Sequence, residues 1–172
     1  IKRTSPTCFH VEIPGHLNAE VLVSQQVPMA PLIPIEPLAD EHATAIQAWE
    51  IYQKRWMFHG PAYYGIKQLL AISPHGIRGV LYNQGTPGAL LDNVGQLFGL
   101  WVMLQMPVDK VVMPISIQKV SFFGPPPVHG ADLLCHVWIE HLDKREVRAS
   151  MCLWYNQRVW ATFEGWRDWR FD

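Results

Sequence analysis

The sequence predicts an α+β fold, and three observations carry that expectation. Residues 88–105 form a long helical pattern, in which Leu90, Leu91, Val94, Leu97, Phe98, Trp101 and Val102 recur at three- and four-residue spacing. Strand-like runs follow it at 111–123, 131–142, 146–156 and 158–169, the second placing Leu133, Cys135, Val137 and Ile139 on one face. Tight polar connections such as Asp143-Lys144-Arg145 make successive strands antiparallel neighbours.

The earlier residues divide in order. Runs 7–13 and 19–27 read as short extended pieces around the turn signal Pro14-Gly15. Pro28, Pro31, Pro34 and Pro37 fall within ten residues, so the chain there is a stiff, extended linker and not a central strand. A short helix is expected over 39–54, capped by Asp40, with Ile46, Trp49 and Tyr52 available for packing. Phe58-His59-Gly60-Pro61 is a turn, 63–73 is extended or helical, and 79–83 is a strand. A single long helix followed by consecutive antiparallel strands implies a curved sheet wrapped round that helix, the hot-dog fold. The expected division is 1–27 as N-terminal strands or the end of a preceding hot-dog, 28–46 as linker, and 47–172 as the hot-dog domain.

Composition narrows the function. The 172 residues are 49% hydrophobic and 17% charged with a net charge of −1, which suits one globular domain and excludes disorder. No Lys/Arg run appears, so nucleic acid and anionic membrane are not expected partners. Cys8, Cys135 and Cys152 are widely spaced with neither a pairing nor a metal pattern, pointing to a reduced, cytoplasmic chain. The start Ile1-Lys2-Arg3 carries no signal-peptide pattern, and its lack of Met suggests a piece of something longer.

Asp92 is the sharpest chemical feature, a carboxylate within the apolar helix with Gln96 one turn on and Gly95 and Gly99 on the same side. In apolar surroundings it is a candidate acid; the plain alternative is a solvated charge favoured by the helix start. An amide one turn away orients a carboxyl without forcing it to ionise, although Gln96 alone reads as a surface residue. His59 sits in a rigid aromatic turn, as a site residue or one bonding its own loop. The other histidines lack metal spacing, so no zinc is expected. No Gly-x-Ser-x-Gly elbow and no phosphate-cradling glycine loop occurs. The ending 165–171 alternates aromatic and charged residues, as an edge strand or a carrier-protein dock.

Two motifs at this separation resemble those of polyketide synthase dehydratase domains. Met57-Phe58-His59-Gly60-Pro61-Ala62-Tyr63 resembles their Tyr-Gly-Pro-x-Phe turn, and Thr86-Pro87-Gly88-Ala89-Leu90-Leu91-Asp92-Asn93-Val94-Gly95-Gln96 their His-Pro-x-x-Leu-Asp-x-x-x-Gln motif. Met113-Pro114 is similar to the strand start that follows. Gly165-Trp166-Arg167-Asp168-Trp169-Arg170-Phe171 looks like the ending of the iterative enediyne and polyunsaturated-fatty-acid types.

The resemblance implies the C-terminal half of a double hot-dog, a lyase removing water from a β-hydroxyacyl chain. Asp92 then matches the general acid and Gln96 its neighbour, while His59, Gly60 and Pro61 match the substrate-side turn. No cofactor is implied beyond the phosphopantetheine of an acyl carrier protein, which carries the substrate. The implied partners are that carrier protein, the first hot-dog and other synthase domains, with a homodimer as a further expectation. The family's histidine base, in His-x-x-x-Gly-x-x-x-x-Pro, is not found in these residues; His59 replaces a tyrosine and Thr86 a histidine. The chain thus reads as an acid without its base. Alternatives are a non-catalytic docking or dimerisation hot-dog, and an isomerase or cyclase on the same scaffold.

Overall fold

A computed structural model describes residues 1–105 and 111–171. Strands β1 (Lys2–Ser5), β2 (Cys8–Ile13) and β3 (Leu17–Leu22) form a small antiparallel sheet in that order. Its apolar residues Ile13, Leu17, Val21 and Leu22 are exposed, so this sheet has little core of its own. β1 lies outside the strands read from the sequence, because Lys2–Ser5 is polar and pairs only at the edge of β2.

The main sheet contains β4 (Ile66–Ser73), β5 (Gly76–Tyr82), β6 (Val111–Ser116), β7 (Lys119–Phe122), β8 (Asp132–Leu142), β9 (Glu146–Tyr155) and β10 (Arg158–Phe171). Its order is β4-β5-β8-β9-β10-β6, with β7 also pairing β10, and every pairing is antiparallel. Helix α2 (Ala89–Gln105) lies against one face. Period-two alternation supplies that face: Leu133, Cys135 and Val137 of β8, Ala149, Met151 and Leu153 of β9, and Ala161 and Phe163 of β10. They enclose Val94, Leu97, Phe98, Trp101 and Val102, all at most 1% exposed. The chain is an α+β hot-dog. Trp101 fills this core and donates Nε1–H to the Ser73 carbonyl at 2.8 Å, whereas Trp49 is exposed.

Close approach is what Gly95 provides: a Cβ there would lie 2.8 Å from the Trp166 ring. Residues 30–33 cross the sheet's outer face, where Ala30 and Ile33 pack on Cys152, Trp154 and Val159.

Three expectations need correction, and one open reading is decided. The helix expected over 39–54 shrinks to α1 (Ala48–Gln53). Asp40 does not cap it; it takes a left-handed φ of 55°, and His42 bridges to Ile72 in extended form. The run 111–123 is two strands, because Gln118 turns its N–H to the Glu164 carbonyl between them. Residues 63–73, read as extended or helical, are extended: they form β4 from Ile66, after a 3-10 turn (Pro61–Tyr63). The ending 165–171 is no edge strand: it lies inside β10, paired with both β9 and β6.

Candidate active site

The site forms where the start of α2 meets the turn before β4. Gly88, at φ 80°, leads the chain into the helix, and the Asp92 N–H donates to the Gly88 carbonyl at 3.0 Å. Asp92 therefore stands in the first turn. One turn on, Gln96 is only 3% exposed, contrary to its surface reading. Its amide is fully used: Nε2 donates to Asp92 Oδ2 at 2.7 Å and to the Tyr63 carbonyl at 3.0 Å. Its Oε1 accepts the Tyr52 hydroxyl at 3.1 Å. The Ile66 N–H donates in turn to the Tyr52 oxygen at 2.9 Å, so a chain of bonds runs from the backbone of β4 to the carboxylate.

Tyr52 stacks on Tyr64 with ring centroids 4.1 Å apart. Burial, with the Asp92 charge adding to it, pushes its phenol up to about 12, so Tyr52 remains a neutral donor. Asn93, fully buried, accepts the Gly65 N–H at 3.2 Å, and any Cβ at Gly65 would collide with its side chain. That contact pins the turn to the helix.

His59 comes from the same turn. Its Nε2 lies 3.4 Å from Asp92 Oδ2, and its side chain is 16% exposed. Nδ1 is buried without a hydrogen-bond partner, so His59 does not serve its own loop through that atom. Phe58, itself exposed, stacks on the ring at 4.2 Å. Gly60 and Pro61 open the 3-10 turn, the Tyr63 N–H donating to the Gly60 carbonyl at 2.9 Å. Asp92, Gln96 and His59 are thus brought together, with Gly60 and Pro61 beside them.

Asp92 differs too from its reading as a carboxylate set among apolar residues. Asp92 is not enclosed: its side chain is 38% exposed. Leu90 and Val94 turn toward the core while Asp92 stays on the rim of the helix start. The residues missed are Tyr52, Tyr63, Asn93 and Gly65. Tyr52 reads in sequence as a packing residue, and nothing local reveals that its hydroxyl meets an amide 44 positions away.

Other titratable groups lie elsewhere. Asp168, 4% exposed, is pushed up to about 6 by burial, although it accepts the Trp166 indole N–H at 2.9 Å. Burial also raises the Cys135 thiol, takes Cys152 to about 12 and takes His136 down to about 4. All three cysteines are free. A groove of about 660 Å³ lies on the sheet's outer face, between Pro28–Ile33 and residues such as Ser121, Cys152 and Thr162, not at Asp92. Among the described residues no three His, Cys, Asp or Glu side chains cluster as a metal site, and no helix is long and apolar enough to cross a membrane.

No family model and no curated protein matches the sequence. Solved structures do. The dehydratase domain from the CurF module of curacin polyketide synthase is similar at a TM-score of 0.69 and 20% identity, over 90% of this chain and 58% of that one. A trans-AT polyketide synthase dehydratase domain from Brevibacillus brevis gives 0.66 and 15%, over 90% and 58%. The dehydratase heterocomplex ApeI:P from Xenorhabdus doucetiae gives 0.59 and 12%, over 75% and 93%. The chain spans just under three fifths of the length of the CurJ and CurF dehydratase domains it matches. At these identities the likeness establishes the fold: this chain has the hot-dog architecture found in polyketide synthase dehydratase domains.

Proposed function

We propose that the chain is the acid-bearing, C-terminal hot-dog of a dehydratase in a polyketide or fatty-acid synthase of the iterative type. Its substrate is a β-hydroxyacyl thioester carried on the phosphopantetheine of an acyl carrier protein, in the cytoplasm. The observation that carries the reading is the Asp92–Gln96 pair at the accessible start of α2, with the amide braced by Tyr52 and the Tyr63 carbonyl. A carboxyl so oriented can protonate the β-hydroxyl as the Cβ–O bond breaks, while a base takes the α-proton and water leaves. The base belongs to a first hot-dog, and Gly60 and Pro61 line the approach of the thioester.

A carboxyl must be protonated to act this way, which needs a water-poor site. The exposed side of Asp92 is therefore covered by the first hot-dog, the carrier-borne chain or both. The outward edge of β6, with Val111, Met113 and Ile115 exposed, offers apolar surface for such a partner or for a second copy. Asp92→Asn in the synthase tests the reading: loss of dehydration with an unchanged fold supports it, and normal dehydration overturns it.

A second reading is favoured by the 38% exposure of Asp92. A carboxylate at an open helix start also suits a non-catalytic docking or dimerisation hot-dog. In that case Asp92→Asn leaves product formation untouched while edge substitutions at Met113 and Ile115 weaken assembly. An isomerase or cyclase relative would turn over the tethered chain without releasing water.

A further inference from the structure

His59 has no role in the reading above beyond lining the approach, yet its geometry is specific. A neutral imidazole carries one N–H. At Nδ1 that hydrogen would be buried with nothing to receive it; Nε2 has Asp92 Oδ2 3.4 Å away, within ion-pair reach though too long for a formed hydrogen bond. A contact of this length to a catalytic group can shorten to a hydrogen bond in the complex with substrate. Gln96 Nε2 already donates to the same oxygen at 2.7 Å. Oδ2 thus has one bonded donor and the His59 ring within reach, and Oδ1 takes no hydrogen bond from any described residue. A proton on Oδ2 would point at N–H groups; a proton on Oδ1 meets none.

We propose that His59, as its Nε2–H tautomer, is a positioning residue that together with Gln96 reserves Oδ2 as an acceptor and leaves Oδ1 as the oxygen that holds and delivers the proton. The inference rests on the dehydratase reading for its consequence, and on geometry alone for the pairing. Stacking by Phe58 and the Gly60-Pro61 turn hold the ring in place. An ionisable ring here, where the resembling turn has a tyrosine, still supplies one donor of the required direction.

Two measurements test it. In the chain labelled with ¹⁵N-histidine, the His59 ring shows the Nε2–H tautomer, and Asp92→Ala returns it to a solvent-like mixture, with His59→Gln identifying the signal. An Nδ1–H tautomer, or a spectrum indifferent to Asp92→Ala, overturns the pairing. In the synthase, His59→Phe lowers kcat about 10- to 100-fold with KM within about twofold, as expected for one hydrogen bond to a reacting carboxyl. His59→Gln, which keeps a donor, recovers most of that loss. A rise in KM at unchanged kcat makes His59 a substrate contact and overturns the positioning role. If the tautomer signature holds but the wild-type synthase never releases water, the dehydratase reading falls and the pairing stands.

Discussion

Two carboxylates approach the same stretch of α2 from different sides, and they have opposite environments. Asp92 rises from the helix itself, 38% exposed, with the Gln96 amide bonded to Oδ2 and the His59 imidazole 3.4 Å from the same oxygen. Asp168 comes from β10 and is 4% exposed; its partner Trp166 lies on Gly95, one turn from Asp92. Burial lifts Asp168 to about 6. A raised carboxyl alone would point to Asp168, which lies between β9 and β6 and at 4% exposure gives a thioester no approach. Burial makes an acid, but access and an orienting partner make it usable.

The largest effects separate the two directly. Asp92→Asn lowers dehydration about 10²- to 10⁴-fold, the span of general acid catalysis, with a thermal midpoint close to wild type. Asp168→Asn leaves the rate near wild type, since the amide oxygen still accepts the Trp166 N–H. Equal rates in wild type and Asp92→Asn would break the comparison from one side, and a rate collapse in Asp168→Asn from the other.

Stability gives the reverse order. The folded carboxyl of Asp168 titrates near 6 and the unfolded one near its ordinary value of 3.8. Between those pH values the unfolded state is ionised and the folded state is still protonated, so stability falls as pH rises through the window. Above it the cost is constant, up to about 3 kcal/mol for a shift of roughly two units. Asp168→Asn is therefore the more stable protein at pH 7 and equals wild type below pH 3.8, as urea unfolding at several pH values will show. His136, pushed down to about 4, contributes the opposite slope, losing stability as pH falls from 6.5. It is common to both proteins and cancels in the difference. No gain at pH 7 would mean that Asp168 is not desolvated in solution.

The sequence carried the scaffold further than the site. Helix 88–105 and the strands after it are legible because their apolar residues repeat at 3.6 or 2, and burial on a single face enforces both periods. Asp92, Gln96 and His59 were legible as residue types at motif spacing. What local pattern could not convey was direction. Gln96 is buried because Tyr52 and the Tyr63 carbonyl come to it from other elements, and Asp92 is exposed because its apolar neighbours point the other way. The helix expected over 39–54 loses its first half for a similar reason: the bridge from His42 to Ile72 ties that segment to the sheet.

Gly95 links the two carboxylates and gives a smaller effect. In Gly95→Ala the new methyl meets Trp166 Cζ2 at 2.8 Å and Cη2 at 2.9 Å, both ring atoms with no flexible end to yield. Overpacking of this kind costs about 1–3 kcal/mol, offset by up to about 1 kcal/mol of helix propensity. A drop in thermal midpoint with altered near-UV signal of Trp166 is expected. A more stable Gly95→Ala would show that β10 can move away from α2, and that Asp168 is less enclosed than its contacts imply.

The smallest effect on turnover is expected at the sheet's outer face, away from Asp92. Trp154 donates Nε1–H to the Ile33 carbonyl at 3.2 Å, and its ring meets the edge of buried His136 at 4.6 Å. Trp154→Phe removes the donor, a loss of about 0.5–1.5 kcal/mol, and the smaller phenyl adds the cost of the space left in this buried site. Because the bond holds residues 28–37 and nothing near Asp92, amide exchange and proteolysis should rise in that segment while kcat and KM stay within about twofold. A change in turnover would mean that the outer face and the Asp92 end are coupled through β9, making the Pro-rich segment more than a connection.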